Sequence, residues 1–173
     1  MLYHASILSF IVWLTGQPGT GKTTLANEIA RYITWRPIEV VDGDVLRGEL
    51  PGLGWSPRDR DLNVRVAGLL SRRLAHHGTG AVVAMVSPFK DVREEVRQKA
   101  MADGLPFIEV LLQASLDTRA HRKPDIYERH ARGELELPYE LSEAGMIILM
   151  TDNTSVVECR NGILAVLRTR GLL

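Results

Sequence analysis

Cys159 is the whole thiol complement of this 173-residue chain, so no internal disulfide can form. That suits a reducing cytoplasm, where the protein is expected, and Cys159 reads as a small residue on the last helix rather than a nucleophile. Net charge is missing too: 21 Lys+Arg stand against 21 Asp+Glu. No global field therefore draws the chain to nucleic acid or to an anionic membrane, and any anion recognition has to be local. The apolar amino-terminal stretch "MLYHASILSFIVWLTG" falls short of the roughly 20 residues that span a bilayer. It also lacks the charged n-region and cleavage site of a secretory signal, and reads as a buried strand. Repeats, low-complexity tracts and linkers are absent as well, so residues 1–173 are expected to form one domain around one core.

What is present is an alternation. Near-continuous apolar runs, "SFIVWLT" (9–15), "IEVVD" (38–42), "GAVVAMV" (80–86), "FIEVLLQ" (107–113) and "GMIILM" (145–150), have the length and composition of strands buried on both faces. Helical period fills about 22–34, 57–77, 90–103, 115–122 and 154–170. Strands alternating with helices predict an α/β fold, a five-stranded parallel sheet with helices on both faces. The charged stretch 121–143, "HRKPDIYERHARGELELPYELSE", is too polar for core and is expected to be a surface lid.

Directly after the first strand comes "GQPGTGKTT", Gly16 to Thr24, which satisfies G-x-x-x-x-G-K-[ST] in the strand-to-helix setting that this motif requires. The glycines Gly16, Gly19 and Gly21 let the loop turn, and with Gln17, Pro18 and Thr20 it offers backbone N–H groups to phosphate oxygens. Lys22 adds a cation for the β- and γ-phosphates, and Thr23, followed by Thr24, offers a hydroxyl to Mg²⁺. The helix behind them points its positive end at the anion. The motif specifies a nucleoside triphosphate with Mg²⁺, without saying what is done with it.

The second acid that such sites place at the end of a neighbouring strand is not on "GAVVAMV", which runs into Ser87 and Pro88. It is on "VVDGDVLRG", where Asp42 and Asp44 flank a glycine. One carboxylate would hold a metal-bound water and the other would orient or deprotonate an acceptor hydroxyl. A helix N-cap at Asp44 would account for one of them. Arg47 lies one turn into the short helix that follows. In "GWSPRDRDLNVR" (54–65) Ser56 and Pro57 predict a helix start, and Arg60 and Asn63 share a face. Arg47, Arg60 and Asn63 suit an anion, since guanidinium forks grip tetrahedral oxyanions. Arg58, Arg72 and Arg73 read as a solvated basic face with Asp59 and Asp61 as partners.

These motifs, with "VSPFKDVRE", "FIEVLL" and "IYERHARGELELPYE" in their order and spacing, resemble the adenylylsulfate kinases over about residues 10–170. That family phosphorylates the ribose 3′-hydroxyl of adenosine 5′-phosphosulfate (APS) with MgATP. The resemblance implies that Asp42 serves as base or metal-water ligand and that Arg47, Arg60 and Asn63 hold the phosphosulfate. It puts Trp55 where the family has phenylalanine, a ring able to stack on adenine. It sets Ser87 on the serine described as a phosphoryl acceptor, which a direct in-line transfer does not need. Ser87, Pro88 and Phe89 would then line the substrate, with Lys22, Asp42 and Asp44 completing the catalytic set.

The chain departs from the family in its lid. Pro124-Asp125-Ile126-Tyr127 stands where the family carries Lys-Gly-Leu-Tyr, with Lys123 the nearest lysine, and "GELELPYE" omits a Phe-Thr-Gly loop. These departures bear on the acceptor rather than on fold or donor, and leave open a kinase of another nucleotide or small hydroxyl. A nucleotide-binding switch is the third reading, though an N-K-x-D-like guanine reader is lacking. Homodimer formation is left open.

Overall fold

The computed structural model describes residues 9–142 and 146–173. The amino-terminal part of the expected first strand, the end of the lid at residue 143 and Gly145 of the last strand lie outside them. All strands run parallel in the order β2-β3-β1-β4-β5. The strands are β1 (Ile11–Thr15), β2 (Ile38–Asp42), β3 (Gly80–Ala84), β4 (Phe107–Gln113) and β5 (Ile147–Met150). The helices are α1 (Lys22–Tyr32), α2 (Gly43–Glu49), α3 (Pro57–His76), α4 (Lys90–Ala102), α5 (Leu116–Arg122), α6 (Pro124–Ala131) and α7 (Val156–Thr169).

Two apolar layers sandwich the sheet. On one face Val12, Leu14, Val82 and Val110 meet α1 through Leu25 and Ile29, and α7 through Cys159, Ile163 and Leu167. Burial pushes the Cys159 thiol upward, away from nucleophilic use. On the other face Ile11, Trp13, Val83 and Phe107 meet α3 and α4 through Val64, Ala67, Val92 and Val96. Trp13 is fully buried and stacks on Phe107 with ring centroids 5.8 Å apart.

Burial on both faces holds for the central strands β1, β3 and β4 and fails at the edges. In β5, Ile148 and Met150 are about half exposed, because only Ile147 and Leu149 reach the α1–α7 layer. β2 differs: Ile38 and Val40 pack on the α1–α7 layer and Val41 is buried in the α3–α4 layer, leaving Glu39 exposed. An apolar strand needs a helix on each side to bury both faces, and β5 has one. The β3 ladder also stops at Ala84, two residues early, where the chain bends toward Ser87 (φ 40°).

Helix starts follow their caps. Ser56 accepts the Asp59 amide while Asp59 reaches back to the Ser56 amide, with Pro57 in the first turn; Ser155 and Glu158 repeat this capping box on α7. Of the charged stretch, residues 121–122 end α5, 124–131 form α6 with Tyr127 buried, and 135–142 make a return segment outside helix and strand. The sheet order places the loops after β1, β2 and β3 side by side at the carboxyl ends of the strands, where parallel sheets bind ligands.

Candidate active site

The loop between β1 and α1 needs its glycines. Gly16 has φ 134° and Gly19 φ 83°, a region that L side chains rarely adopt. A Cβ on Gly16 would run into the Leu112 carbonyl oxygen, and one on Gly19 would lie 2.8 Å from the Arg119 carbonyl oxygen. No acidic residue occupies the first turn of α1, leaving its positive end open to an anion. Lys22 folds back over the loop: Nζ donates to the carbonyls of Gly16 and Gln17, each at 2.8 Å, and to Thr20 Oγ1 at 3.4 Å. Burial lowers its ammonium to about 8, against the raising pull of Asp44 and Asp42. Lys123, at the joint of α5 and α6, adds a small lowering push.

The two aspartates divide their work. Asp42 Oδ1 accepts the amides of Asp44 (2.8 Å) and Val45 (3.3 Å), so the cap of α2 falls on Asp42 and not on Asp44. Asp42 Oδ2 accepts from Thr23 Oγ1 at 2.7 Å. Asp44 stands exposed in the first turn of α2, its charge felt by both Lys22 and Arg47. Thr23 and Asp42 thus bring a hydroxyl and a carboxylate together. That donor set fits Mg²⁺, which takes one or two protein oxygens and leaves the rest to water and substrate phosphates. No group of three or more His, Cys, Asp or Glu able to hold a metal occurs among the described residues.

Beside this lies a cationic cluster. The Arg47 guanidinium sits 4.2 Å from the Trp55 ring centroid, and that of Arg60 5.5 Å from it. Arg47 Nη1 donates to the Gly54 carbonyl, while Arg60 donates to the carbonyls of Trp55 (2.9 Å) and Glu136 (3.0 Å). Burial lowers both guanidiniums, and Arg47 lowers Arg60 further. Arg60 is 8% exposed and Trp55 55% exposed. Asn63 Nδ2 donates to the Gly43 carbonyl at 3.0 Å, while its buried Oδ1 has no partner. Arg47, Trp55, Arg60 and Asn63 therefore collect around the Asp42–Asp44 turn, beside the phosphate loop.

The family model for adenylylsulphate kinase matches residues 8–150. An adenylyl-sulfate kinase of Myxococcus xanthus is 39% identical over 173 residues, covering 95% of this chain and 94% of that relative. The adenylyl-sulfate kinase of Chloroflexus aurantiacus is 38% identical over 167 residues, covering 91% and 88%. The chain belongs to the adenylylsulphate kinase family. The structure of the Mycobacterium tuberculosis APS kinase in complex with AMPPNP and APS matches it with a TM-score of 0.84 at 27% identity, covering 92% of this chain and 98% of that one. Membership makes the chain a phosphotransferase on an ATP-binding kinase fold. No helix among the described residues is long and apolar enough to cross a membrane.

Within this adenylylsulphate kinase fold, Ser87 is placed in a buried network. Trp13 Nε1 donates to Ser87 Oγ at 3.0 Å, and Ser87 Oγ lies 2.9 Å from Thr15 Oγ1. Thr15 donates to the Val86 carbonyl at 2.7 Å. Its single proton being spent there, Thr15 accepts from Ser87 and from the Tyr139 hydroxyl at 3.0 Å. Pro88 is buried, and its carbonyl accepts the Glu140 amide at 2.8 Å. Phe89 lines a pocket of about 320 Å³ toward α3 and α4 with Asp61, Glu95 and Glu140. Arg72 pairs with Asp103 and not with Asp59, whose carboxylate is spent on the Ser56 cap, or with Asp61, which lies near Arg65.

Sequence reasoning missed a buried hub. Arg93, 1% exposed, pairs with Glu109 at 3.0 Å and donates to the carbonyls of Ser87 (2.6 Å) and Glu140 (2.5 Å). It holds the bend after β3 against the return segment. The signal was present: Glu109 is a lone charge inside the apolar run "FIEVLL", and a buried carboxylate requires a partner. Arg119 and Tyr127, which touch the phosphate loop, left no comparable trace.

Proposed function

We propose that the chain transfers the γ-phosphoryl group of ATP to the ribose 3′-hydroxyl of APS, working in the cytoplasm as one kinase domain. The observation that carries this reading is the pair of guanidiniums, Arg47 and Arg60, gathered on Trp55 beside Asp42 and the phosphate loop. Two partly desolvated cations at one spot repel each other unless an anion joins them, and phosphosulfate supplies it. Asn63 Oδ1, buried without a partner, offers an acceptor to a substrate N–H or O–H, recovering about 1–3 kcal/mol.

In this reading the loop amides of Gly16 to Thr24 and the Lys22 ammonium hold the β- and γ-phosphates. Mg²⁺, held by Thr23 and Asp42, would neutralise charge between them. Asp42, or Asp44 beside it, orients the acceptor hydroxyl and takes its proton. Transfer of this kind asks the protein for positioning and charge stabilisation above all. Ser87 acts structurally, holding the bend whose Pro88 and Phe89 border the acceptor. The partners are small nucleotides, with no nucleic acid or membrane involved; homodimer formation would show in the solution mass.

A second reading, a different nucleotide or small alcohol as acceptor, rests on two observations. The Trp55 ring is already engaged by guanidiniums, and Tyr139, the aromatic of the return segment, is turned toward Thr15. An ATP-consumption screen over APS, other nucleotides and small alcohols decides between them. Turnover far above background with APS alone supports the first reading; equal rates with and without the sulfate refute it.

A further inference from the structure

We propose that Gln17, through its side chain, is a positioning residue for the acceptor side of the site although its backbone belongs to the donor-phosphate loop. The naming of donor and acceptor sides rests on the function proposed above. Gln17 Oε1 accepts from Arg119 Nη1, and Gln17 Nε2 donates to the Leu137 carbonyl at 3.1 Å. Only this orientation of the amide works, because a guanidinium can only donate and a carbonyl can only accept.

Each end of the bridge is anchored. Arg119 Nε donates to the Ala114 carbonyl at 3.0 Å, and its Nη1 also reaches the Tyr127 hydroxyl at 2.8 Å. The Tyr127 hydroxyl in turn donates to the Pro18 carbonyl at 2.9 Å. Helices α5 and α6 thus grip loop residues 17 and 18 from outside. At the other end, Leu137 is next to Glu136, whose carbonyl accepts from Arg60 Nη2 at 3.0 Å. Between Leu135, whose carbonyl meets His130, and Glu140, which is bonded to Pro88, the main chain of the return segment is held by Gln17 and Arg60. A continuous line of hydrogen bonds therefore runs from α5 through Gln17 and the return segment to the anion-gripping arginine. The Gln17 side chain sets where Arg60 stands, and its loss falls on acceptor binding.

The substitution Gln17→Glu separates the two arms. A carboxylate still accepts from Arg119 but cannot donate to the Leu137 carbonyl. Steady-state kinetics with APS should show the acceptor KM rising on the order of tenfold, the factor that one lost hydrogen bond of roughly 1.4 kcal/mol represents. The new carboxylate stands on the donor-phosphate loop and should raise the ATP KM as well, by repulsion of the phosphates. Amide hydrogen exchange of residues 135–140 should quicken in the variant, and it should quicken less in Arg119→Met, which keeps the bond to Leu137. An acceptor KM within about twofold of wild type, with the ATP KM alone raised, would confine the side chain to the donor loop and overturn the proposal. Wild-type exchange rates across 135–140 in Gln17→Glu would overturn it as well. The exchange measurement needs no acceptor, so failure of APS as substrate would sink the proposed function while leaving Gln17 to be judged on the return segment alone.

Discussion

Replacing Asp42 by asparagine and by alanine separates the two duties of one carboxylate. Its Oδ1 caps α2 through the amides of Asp44 and Val45, while Oδ2 receives the Thr23 hydroxyl. Asparagine keeps an oxygen for the cap, and Asn and Asp are about equally good at that position. Asp42→Asn should therefore leave thermal stability close to wild type. Alanine removes the cap, at a cost of about 1 kcal/mol, which for a chain of this size lowers Tm by roughly 2–4 °C. Turnover follows the charge instead. Both substitutions abolish the negative group beside Thr23, and with Asp42 as the proposed base kcat should fall by about 10²-fold or more, the scale of a positioned general base. The assay is ATP-dependent phosphorylation of APS under saturating nucleotide, with calorimetric melting in parallel. An Asp42→Asn enzyme that turns over normally would refute the catalytic argument. One that melts like the alanine variant, with turnover reduced only in step, would reduce Asp42 to a cap.

Five other outcomes can be checked. Lys22 has a folded-state pKa of about 8, below the usual 10.5, and bound phosphates would raise it. Nucleotide binding above pH 8 should then take up a proton, with ADP affinity falling as pH rises; calorimetry in buffers of different ionisation heat tests this, and pH-independent binding from 7 to 9.5 would refute it. In the nucleotide-free protein the same depression makes stability rise, not fall, between about pH 8 and 10.5, because the unfolded chain holds that proton longer. Arg60→Ala should lower acceptor kcat/KM by the equivalent of about 2–5 kcal/mol. Trp55→Ala should cost about 0.5–2 kcal/mol through the two arginines it supports, and unchanged acceptor kinetics there would contradict that support. Arg93→Ala leaves Glu109 buried and unpaired, so about 3–5 kcal/mol of stability should be lost in denaturant unfolding; a loss below 1 kcal/mol would show the hub to be solvated.

The five-stranded parallel sheet held from the alternation of apolar runs with helical period, and the other readings that held were local ones. The phosphate loop declares itself because its glycines, lysine and threonine act through backbone geometry over nine consecutive residues. The Ser56–Pro57 start of α3 is legible for the same reason. The half-exposed edges were not, since Ile148 and Met150 are as apolar as any core residue, and only the sheet order reveals that β5 has one neighbour. The cap of α2 was misplaced by two residues because it depends on where β2 stops, and strand ends are set by pairing with β3. Arg47 and Arg60 were selected singly, but their meeting on Trp55 required the fold to bring α2 and α3 together. The contact between Gln17 and Leu137 spans 120 positions, and nothing in either neighbourhood announces the other.

Over Glu136 and Leu137 the return segment is docked by its main chain, while the side chains of Tyr139, Glu140 and Ser142 reach Thr15, the Lys90 amide and Glu109. The carbonyls of Glu136, Leu137 and Glu140 receive Arg60, Gln17 and Arg93, and the Glu140 amide reaches Pro88. Any residue carries a carbonyl, so side chains at 136 and 137 can be exchanged without loosening the seam. What cannot be exchanged is the count of residues between those carbonyls. One residue added or removed between Leu137 and Glu140 would shift the later contacts by about 3.3 Å and turn alternate groups the wrong way. Positions 136 and 137 should therefore accept broad libraries of point substitutions while the stretch rejects single-residue insertions, so specificity for a new acceptor is better sought by changing those letters than its length.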